Sequence, residues 1–252
     1  MTETTRIALV TGANQGIGRQ IATDLAATGV TVLLAARDLE RGRTAAQGMA
    51  GDIHPIQLDV TDAASIRAAA ALVEQQFGRL DILVNNAAIS RANGAETETM
   101  QAYIQRSRAT LIPLDEVRSI WETNVFGVIA VTQAFVPLLR KSAAARIVNV
   151  SSNLGSLTML SGPNPYRMTF NPGYGASKTA LNAITVAFAI DLEADGIAVN
   201  AVTPGFTSTA LNNYEGHETV QQGAAEAVRV ALLGKDGPTG TFTASVDQAQ
   251  PW

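Results

Sequence analysis

Short runs of β-branched and other apolar residues alternate along the chain with longer Ala- and Leu-rich stretches of helical period. Strands are predicted at Arg6–Thr11, Thr31–Ala36, Pro55–Asp59, Leu80–Asn85, Arg146–Ser151, Ile197–Thr203 and Gly240–Ser245. Several of these runs are apolar without alternation, as strands covered on both faces must be. Helical period fills Gly16–Thr28, Asp38–Ala50, Ala63–Phe77, Leu114–Arg140, Gly175–Ala194 and Glu218–Leu233. Strand and helix in alternation predict an α/β fold, doubly wound, with a seven-stranded, mostly parallel sheet, helices on both faces and right-handed crossovers. No shift of composition and no repeat marks a second domain, so one domain is expected over residues 1–252. Two segments interrupt the alternation. Ile89–Pro113 is polar and rich in Arg and Thr, and Asn153–Pro172 carries Gly155, Gly162, Pro163, Pro165 and Pro172 and reads as loop. Both follow strands at their C-terminal ends, where open α/β sheets place their ligand crevice, so both are expected to shape a pocket.

Composition narrows the function classes. The 252 residues are 46% hydrophobic and 16% charged, with a formal net charge of -4. That sign is wrong for a nucleic-acid groove or an anionic membrane surface, so neither partner is expected. With no cysteine, thiolate chemistry and disulfides are excluded. The two histidines, His54 and His217, are far apart in sequence and build no His-based metal cluster, so no metal site is expected. The polar start Met1–Arg6 runs straight into a strand, without the pattern of a signal peptide. No apolar run suggests the roughly 18–20 residues that cross a bilayer. A cytoplasmic protein is the expectation.

The first strand leads into Thr11-Gly12-Ala13-Asn14-Gln15-Gly16-Ile17-Gly18, which opens a helix. Glycines here permit a tight turn and close approach of the backbone to a pyrophosphate, while the helix N-terminus supplies free N–H groups and the positive dipole end. A Rossmann-type nucleotide turn is the direct reading; the bland alternative is a Gly-rich turn with packing value only. No Gly-Lys-Ser/Thr follows, so the turn lacks the lysine and magnesium ligand of a Walker ATPase. After the second strand, Ala36 stands where an acid would bind the ribose of NAD. Arg37 and Arg41 follow and can flank a 2′-phosphate, which favours NADPH/NADP+. Asp38 reads better as the cap of the next helix than as a ribose ligand.

One of the chain's three lysines stands four residues after one of its four tyrosines, in Tyr174-Gly175-Ala176-Ser177-Lys178. Spacing i,i+4 on a helix puts both on one face, where the ammonium can stabilise a phenolate and lower the tyrosine pKa. Asn149-Val150-Ser151-Ser152 brings a hydroxyl to the edge of the sheet, and Thr123-Asn124-Val125 lies in the long preceding helix.

Taken together these residues resemble the short-chain dehydrogenase/reductase family over nearly the whole chain. The glycine turn, Asp59-Val60, Asn85-Asn86-Ala87, Asn124, Ser152, Tyr174 with Lys178, and Pro204-Gly205 with Thr209 follow one another in family order. The resemblance implies a catalytic set of Asn124, Ser152, Tyr174 and Lys178, with Ser151 the fallback for Ser152. It implies cofactor contacts from Gly12, Asn14, Gln15, Gly16, Ile17 and Gly18; from Asp59 and Val60 to adenine; and from Asn86 and Ala87 on the adenosine side. It further implies cofactor contacts from Tyr174, from Lys178 to the ribose, from Pro204 and Gly205, and from Thr207 and Thr209 to the nicotinamide carboxamide. The stretches Ala35–Gly42 and Lys235–Gly240 are similar to those of the NADPH-dependent carbonyl reductases, which implies reduction of a ketone or aldehyde with Tyr174 as proton donor. An NAD-dependent secondary alcohol dehydrogenase and a non-catalytic NADP(H) sensor or scaffold are the alternative readings. The sequence departs from the family pattern at Ala88, where the family has Gly, and in the 22 positions from Ser152 to Tyr174, roughly nine more than its common form. Leu154, Leu157, Met159, Leu160, Tyr166, Met168 and Phe170 in that insertion would wall a pocket for a bulky hydrophobic carbonyl, with Tyr103 and Ile104 able to reach it. A homodimer or homotetramer is the family habit, and insertions of this kind accompany monomers in the carbonyl-reductase branch.

Overall fold

A computed structural model describes residues 5–92, 98–245 and 248–252. The centre of the 89–113 segment and the first four residues, over which a signal peptide was not expected, therefore lie outside the described residues. The strands are β1 Ile7–Val10, β2 Thr31–Ala36, β3 Ile53–Gln57, β4 Ile82–Asn85, β5 Arg146–Val150, β6 Ala198–Val202, β7 Phe242–Ser245 and β8 Gln248–Ala249. They form one sheet in the order β3-β2-β1-β4-β5-β6-β7-β8. All pairs are parallel except β7–β8. The sheet thus has eight strands where periodicity predicted seven, because two residues are too few to show a period and are marked only by pairing with β7.

The principal helices are α1 Gly16–Ala27, α2 Leu39–Ala46, α3 Ala63–Phe77, α4 Met100–Arg106, α5 Leu114–Trp121, α6 Gly127–Leu139, α7 Leu157–Ser161, α8 Tyr174–Asp191 and α9 Val220–Leu232. Strand periodicity separates two cores. Leu9, Leu33, Leu83, Ile147 and Val199 face one layer, where Ile66 and Val73 of α3 and Val131 and Phe135 of α6 cover them. Ala8, Val10, Val32, Leu34, Val84 and Val148 face the other, against Ile21 and Leu25 of α1 and Ala227 and Val230 of α9. Strands buried on both faces explain the unbroken apolar runs in the sequence.

Local chemistry sets the helix limits. Asp38 caps α2, its carboxylate accepting from the N–H groups of Glu40 and Arg41 at 2.9 and 3.2 Å. The helix ends at Ala46, short of the predicted Ala50, ahead of Gly48, whose φ is +74°. The predicted helix Leu114–Arg140 is continuous but carries a π-helical turn at Glu122–Phe126 between α5 and α6. By length and mean hydropathy the stretch Leu114–Leu139 would suffice to cross a bilayer, which the apolar pattern did not suggest; 56% of its most apolar window is buried within the fold. The segment Asn153–Pro172, read as loop, contains 3-10 turns at Asn153–Gly155 and Pro165–Thr169 around α7. The Ile89–Pro113 segment holds α4.

The chain runs from β1 outward to β2 and β3, then returns to β4 on the other side of β1. The strand order reverses there, and the loops leaving β1 and β4 stand at the switch point, where open α/β sheets place their ligand crevice.

Candidate active site

The glycine turn leaves β1 at the crevice and is braced from the β4 side. Thr11 Oγ1 accepts from the N–H groups of Asn86 and Ala87, both at 3.0 Å. Asn86 Nδ2 donates to the carbonyls of Thr11 and Gly12 at 2.9 and 3.2 Å. The Asn86 side chain therefore shapes the turn. Gly12 has φ +63°, and a Cβ on it would lie 2.9 Å from Ala87 Cα. A Cβ on Gly18 would fall 2.3 Å from Asn86 Nδ2. Gly16, at φ +56°, opens α1, and a Cβ there would approach the Thr209 methyl at 3.5 Å, so the turn and the loop after β6 close on the same crevice.

The start of α1 fits a phosphate. Its N-cap residue Gln15 provides no side-chain cap, whereas α2, α3 and α9 are capped by Asp38, Asp62 and Thr219. Together with the glycine cradle, the first-turn N–H groups and dipole of α1 offer an anion site. Asn14, Gln15, Glu40, Arg41, Thr44 and Ala45 line an open groove of ≈ 440 Å³ beside it. Arg37 and Arg41 are exposed, the Arg41 Nε lying 3.9 Å from the Asp38 carboxylate. Ala36 is buried at the end of β2, and a Cβ on Gly42 of α2 would come within 3.2 Å of its methyl.

The remaining cofactor candidates sit around the same edge. Asp59 Oδ1 accepts from the Thr61 N–H and hydroxyl at 2.9 and 2.7 Å, a tight turn at the end of β3. The Val60 carbonyl stands where a Cβ on Gly127 would meet it at 2.8 Å. Pro204 and Gly205, the latter at φ +71°, follow β6. The Thr207 hydroxyl donates to the Pro204 carbonyl at 2.8 Å and a Cβ on Gly223 would lie 2.3 Å from it, so the hydroxyl packs against α9. Thr209 caps the short turn Ala210–Asn212 and keeps its methyl toward Gly16.

Chemistry-bearing residues gather at the end of β5. Ser151 is buried and donates to Asn182 Oδ1 at 2.6 Å, which ties the strand to α8. Ser152, half-buried, accepts from the Leu154 N–H at 3.2 Å, and its hydroxyl stands beside that of Tyr174. The structure thus gives the two adjacent serines different work and leaves Ser152 the one facing Tyr174. Lys178 Nζ lies 5.6 Å from the Tyr174 ring centroid and donates to the Val150 carbonyl at 2.8 Å. Asn124 is buried in the π turn, its carboxamide exchanging two 2.9 Å hydrogen bonds with the backbone of Ile89. It reaches Tyr174 only through Ser177, to whose Oγ it donates at 3.0 Å; that hydroxyl donates to the Tyr174 carbonyl at 2.7 Å. Ser177 and Asn171, which accepts the Tyr174 N–H at 2.9 Å, were not singled out from sequence. Nothing in their residue types or spacing distinguishes them from ordinary loop and helix polar groups.

Burial dominates the ionisation of the pair. It pushes the Tyr174 phenol from 10.0 up to about 12, against the Ser152 hydrogen bond and with a smaller push from Tyr103. It pulls the Lys178 ammonium from 10.5 down to about 7. The helix spacing predicted a lowered tyrosine pKa. Desolvation of the phenolate outweighs the lowering by Ser152, and Tyr174 holds its proton as an acid.

The two extra segments flank this group. Tyr103 of α4 is buried, its hydroxyl donating to the Ser90 carbonyl at 2.6 Å, with the guanidinium carbons of Arg91 and Arg106 at 4.7 and 5.4 Å from its ring centroid. In Asn153–Pro172, Leu160 is buried and the Phe170 ring lies where a Cβ on Gly175 would meet it at 2.6 Å, while Leu157, Tyr166 and Met168 are exposed. The expected apolar wall is therefore divided, part of it anchoring the segment and part of it open.

The sequence model of the short chain dehydrogenase family matches residues 6–220. A short-chain dehydrogenase of Penicillium roqueforti, anuI, is 37% identical over 238 residues, which cover 90% of this chain and 89% of the relative. The (-)-isopiperitenone reductase of Mentha piperita is 33% identical over 306 aligned positions, covering 96% and 97%. Among solved structures, an NADPH-bound carbonyl reductase from chicken fatty liver superposes with a TM-score of 0.81 at 28% identity, covering 99% of this chain and 100% of that one.

Proposed function

The chain belongs to the short-chain dehydrogenase/reductase family, and from that premise we propose that it reduces a bulky, hydrophobic ketone or aldehyde to the alcohol with NADPH. The observation that carries this reading is the meeting of Tyr174, Ser152 and Lys178 at the end of β5, on the crevice where the glycine turn opens. The first-turn N–H groups of α1, with Gly12, Asn14, Gln15, Gly16, Ile17 and Gly18, would hold the pyrophosphate. Arg37 and Arg41 would flank the 2′-phosphate, a strong charge-assisted pairing, and the lack of an acid at Ala36 agrees with that choice. Asp59, Val60 and Ala87 would border the adenosine, and Pro204, Gly205 and Thr209 the nicotinamide end. Bound there, NADPH supplies the hydride that adds to the carbonyl carbon.

The residues of the chain handle the oxygen. Ser152 Oγ, half-buried beside Tyr174, hydrogen-bonds the carbonyl oxygen and orients it. Tyr174 Oη, kept protonated by burial, transfers its proton to that oxygen, so that the carbonyl gains one hydrogen at carbon and one at oxygen. Lys178 then stabilises the phenolate left behind. Asn124, through Ser177, holds the first turn of α8 in register with Ser152. The likeness to a chicken carbonyl reductase bound to NADPH supports the cofactor and reaction class.

The test is to follow loss of reduced-nicotinamide absorbance with NADPH, and separately NADH, over a panel of ketones, aldehydes and bulky aromatic or terpenoid carbonyls. Consumption of NADPH in preference to NADH with a bulky carbonyl is the expected result. Tight NADPH binding without turnover on any member would favour a cofactor-sensing protein instead.

A further inference from the structure

Tyr174 is the first residue of α8, a position whose backbone N–H has no carbonyl partner within the helix. The preceding Gly173 has no side chain to serve as a cap. Asn171 takes over that role from two residues further back: its Oδ1 accepts the Tyr174 N–H at 2.9 Å and its backbone carbonyl accepts that of Ala176 at 3.0 Å. Asn171 is buried, its Nδ2 donates to the Thr169 carbonyl at 3.2 Å, and its carboxamide stands beside the Tyr103 hydroxyl. Tyr103 in turn gives its own proton to the Ser90 carbonyl at 2.6 Å. The residues between are fixed as tightly. The Pro172 carbonyl accepts from Trp121 Nε1 at 3.0 Å, and a Cβ on Gly173 would lie 2.8 Å from Ile120 Cδ1 and 3.3 Å from Asn171 Oδ1.

We propose that Asn171 and Tyr103 are positioning residues for Tyr174. The chain from the Ser90 carbonyl through the Tyr103 phenol and the Asn171 carboxamide to the Tyr174 N–H joins the two extra segments and sets where the Tyr174 hydroxyl stands relative to Ser152 and Lys178. Tyr103 is not a second acid, since its proton is committed to Ser90 and the residue one helical turn on is Ser107, not lysine. The extra segments thereby act on the reaction through the entry of α8, besides bordering the crevice. This inference rests on the reading of Tyr174 as proton donor.

The test combines kinetics with a readout that does not need turnover. Protein labelled with 13C at tyrosine Cζ gives a resonance for each of the four tyrosines, with Tyr174 assigned through Tyr174→Phe. In Asn171→Ala, kcat for carbonyl reduction should fall roughly 10–100-fold, as a displaced reacting group costs, while the KM for NADPH stays within about twofold and the Tyr174 resonance shifts. Asn171→Asp keeps an oxygen for the Tyr174 N–H and should restore most of kcat near neutral pH. Its carboxylate opposes a nearby phenolate, so Tyr174 should titrate at higher pH than in the wild type. Tyr103→Phe should shift the same resonance and lower kcat by a smaller factor. Unchanged kcat and an unchanged Tyr174 resonance in Asn171→Ala would overturn the proposal. If that variant does not fold, the same result in Tyr103→Phe would overturn it. Should Tyr174→Phe retain near-wild-type turnover, the donor assignment fails, and the resonance arm still decides whether Asn171 positions the ring.

Discussion

At the scale of the single residue, two substitutions separate chemistry from binding. Tyr174→Phe removes one hydroxyl from an enclosed site and should lower kcat by roughly 10²–10⁴-fold, the usual worth of a positioned acid, with NADPH affinity by fluorescence titration nearly unchanged. Near-wild-type turnover in that variant would remove Tyr174 from the role of donor. Arg37→Asp replaces an exposed guanidinium with the carboxylate that ribose hydroxyls prefer, and should shift the kcat/KM ratio of NADPH over NADH by roughly tenfold or more toward NADH. An unmoved ratio would leave the 2′-phosphate to Arg41 alone or to neither. Tyr174, Lys178 and Ser152 were legible in the sequence because four-residue helix spacing and the end of a strand place side chains by local rules. The partners that tune them were not legible. Asn171 and Ser177 gain their meaning from atoms that the fold brings up to them, and the inward turn of the Thr207 hydroxyl follows from the approach of Gly223.

At the scale of the element, the glycine turn is the clearest case of sequence dictating geometry. Gly12 combines a positive φ with a space that Ala87 fills, so Gly12→Ala should cost on the order of 3 kcal/mol of stability, from backbone strain and overlap together. Urea unfolding measures that cost, and NADPH affinity should fall with it because the turn and the α1 N-terminus move as one unit. A loss below about 0.5 kcal/mol would show that Ala87 gives way, since surface-like changes stay in that range. The turn was recognisable from its place between a strand and a helix, but its support was not: the bonds from Asn86 and Thr11 cross some 75 positions of sequence. The π turn at Glu122–Phe126 was likewise hidden. Its residues keep an ordinary helical pattern, and only the bonds of Asn124 to Ile89 and Ser177 show what the widened turn presents.

At the scale of the whole molecule, enclosing a lysine links stability to pH. Burial holds Lys178 at about 7 in the folded protein against 10.5 ordinarily. Between those values the unfolded chain binds a proton that the folded chain does not, so the contribution of this group to stability is least below pH 7 and grows as pH rises toward 10.5. Across that window the change is on the order of 5 kcal/mol. Urea unfolding of cofactor-free wild type and Lys178→Met should therefore show the wild type gaining on the variant from pH 7 to 9.5; parallel curves would mean that the ammonium stays solvated. Tyr174 acts in the opposite sense above pH 10, where the unfolded phenol ionises before the folded one. By itself the sequence determined the alternation of strands and helices, the doubly wound order, the glycine turn between β1 and α1 and the nearness of Tyr174 to Lys178, because periodicity, capping and short-range spacing obey local sterics. Tertiary structure alone decided the eighth strand, which exists only through its neighbour, and the buried bond that commits Ser151 to Asn182. It also decided the direction in which the Tyr174 and Lys178 pKa values move and the route by which the two extra segments reach α8. Each of these depends on burial and on partners distant in sequence, which are set by how the layers pack and not by any pattern along the chain.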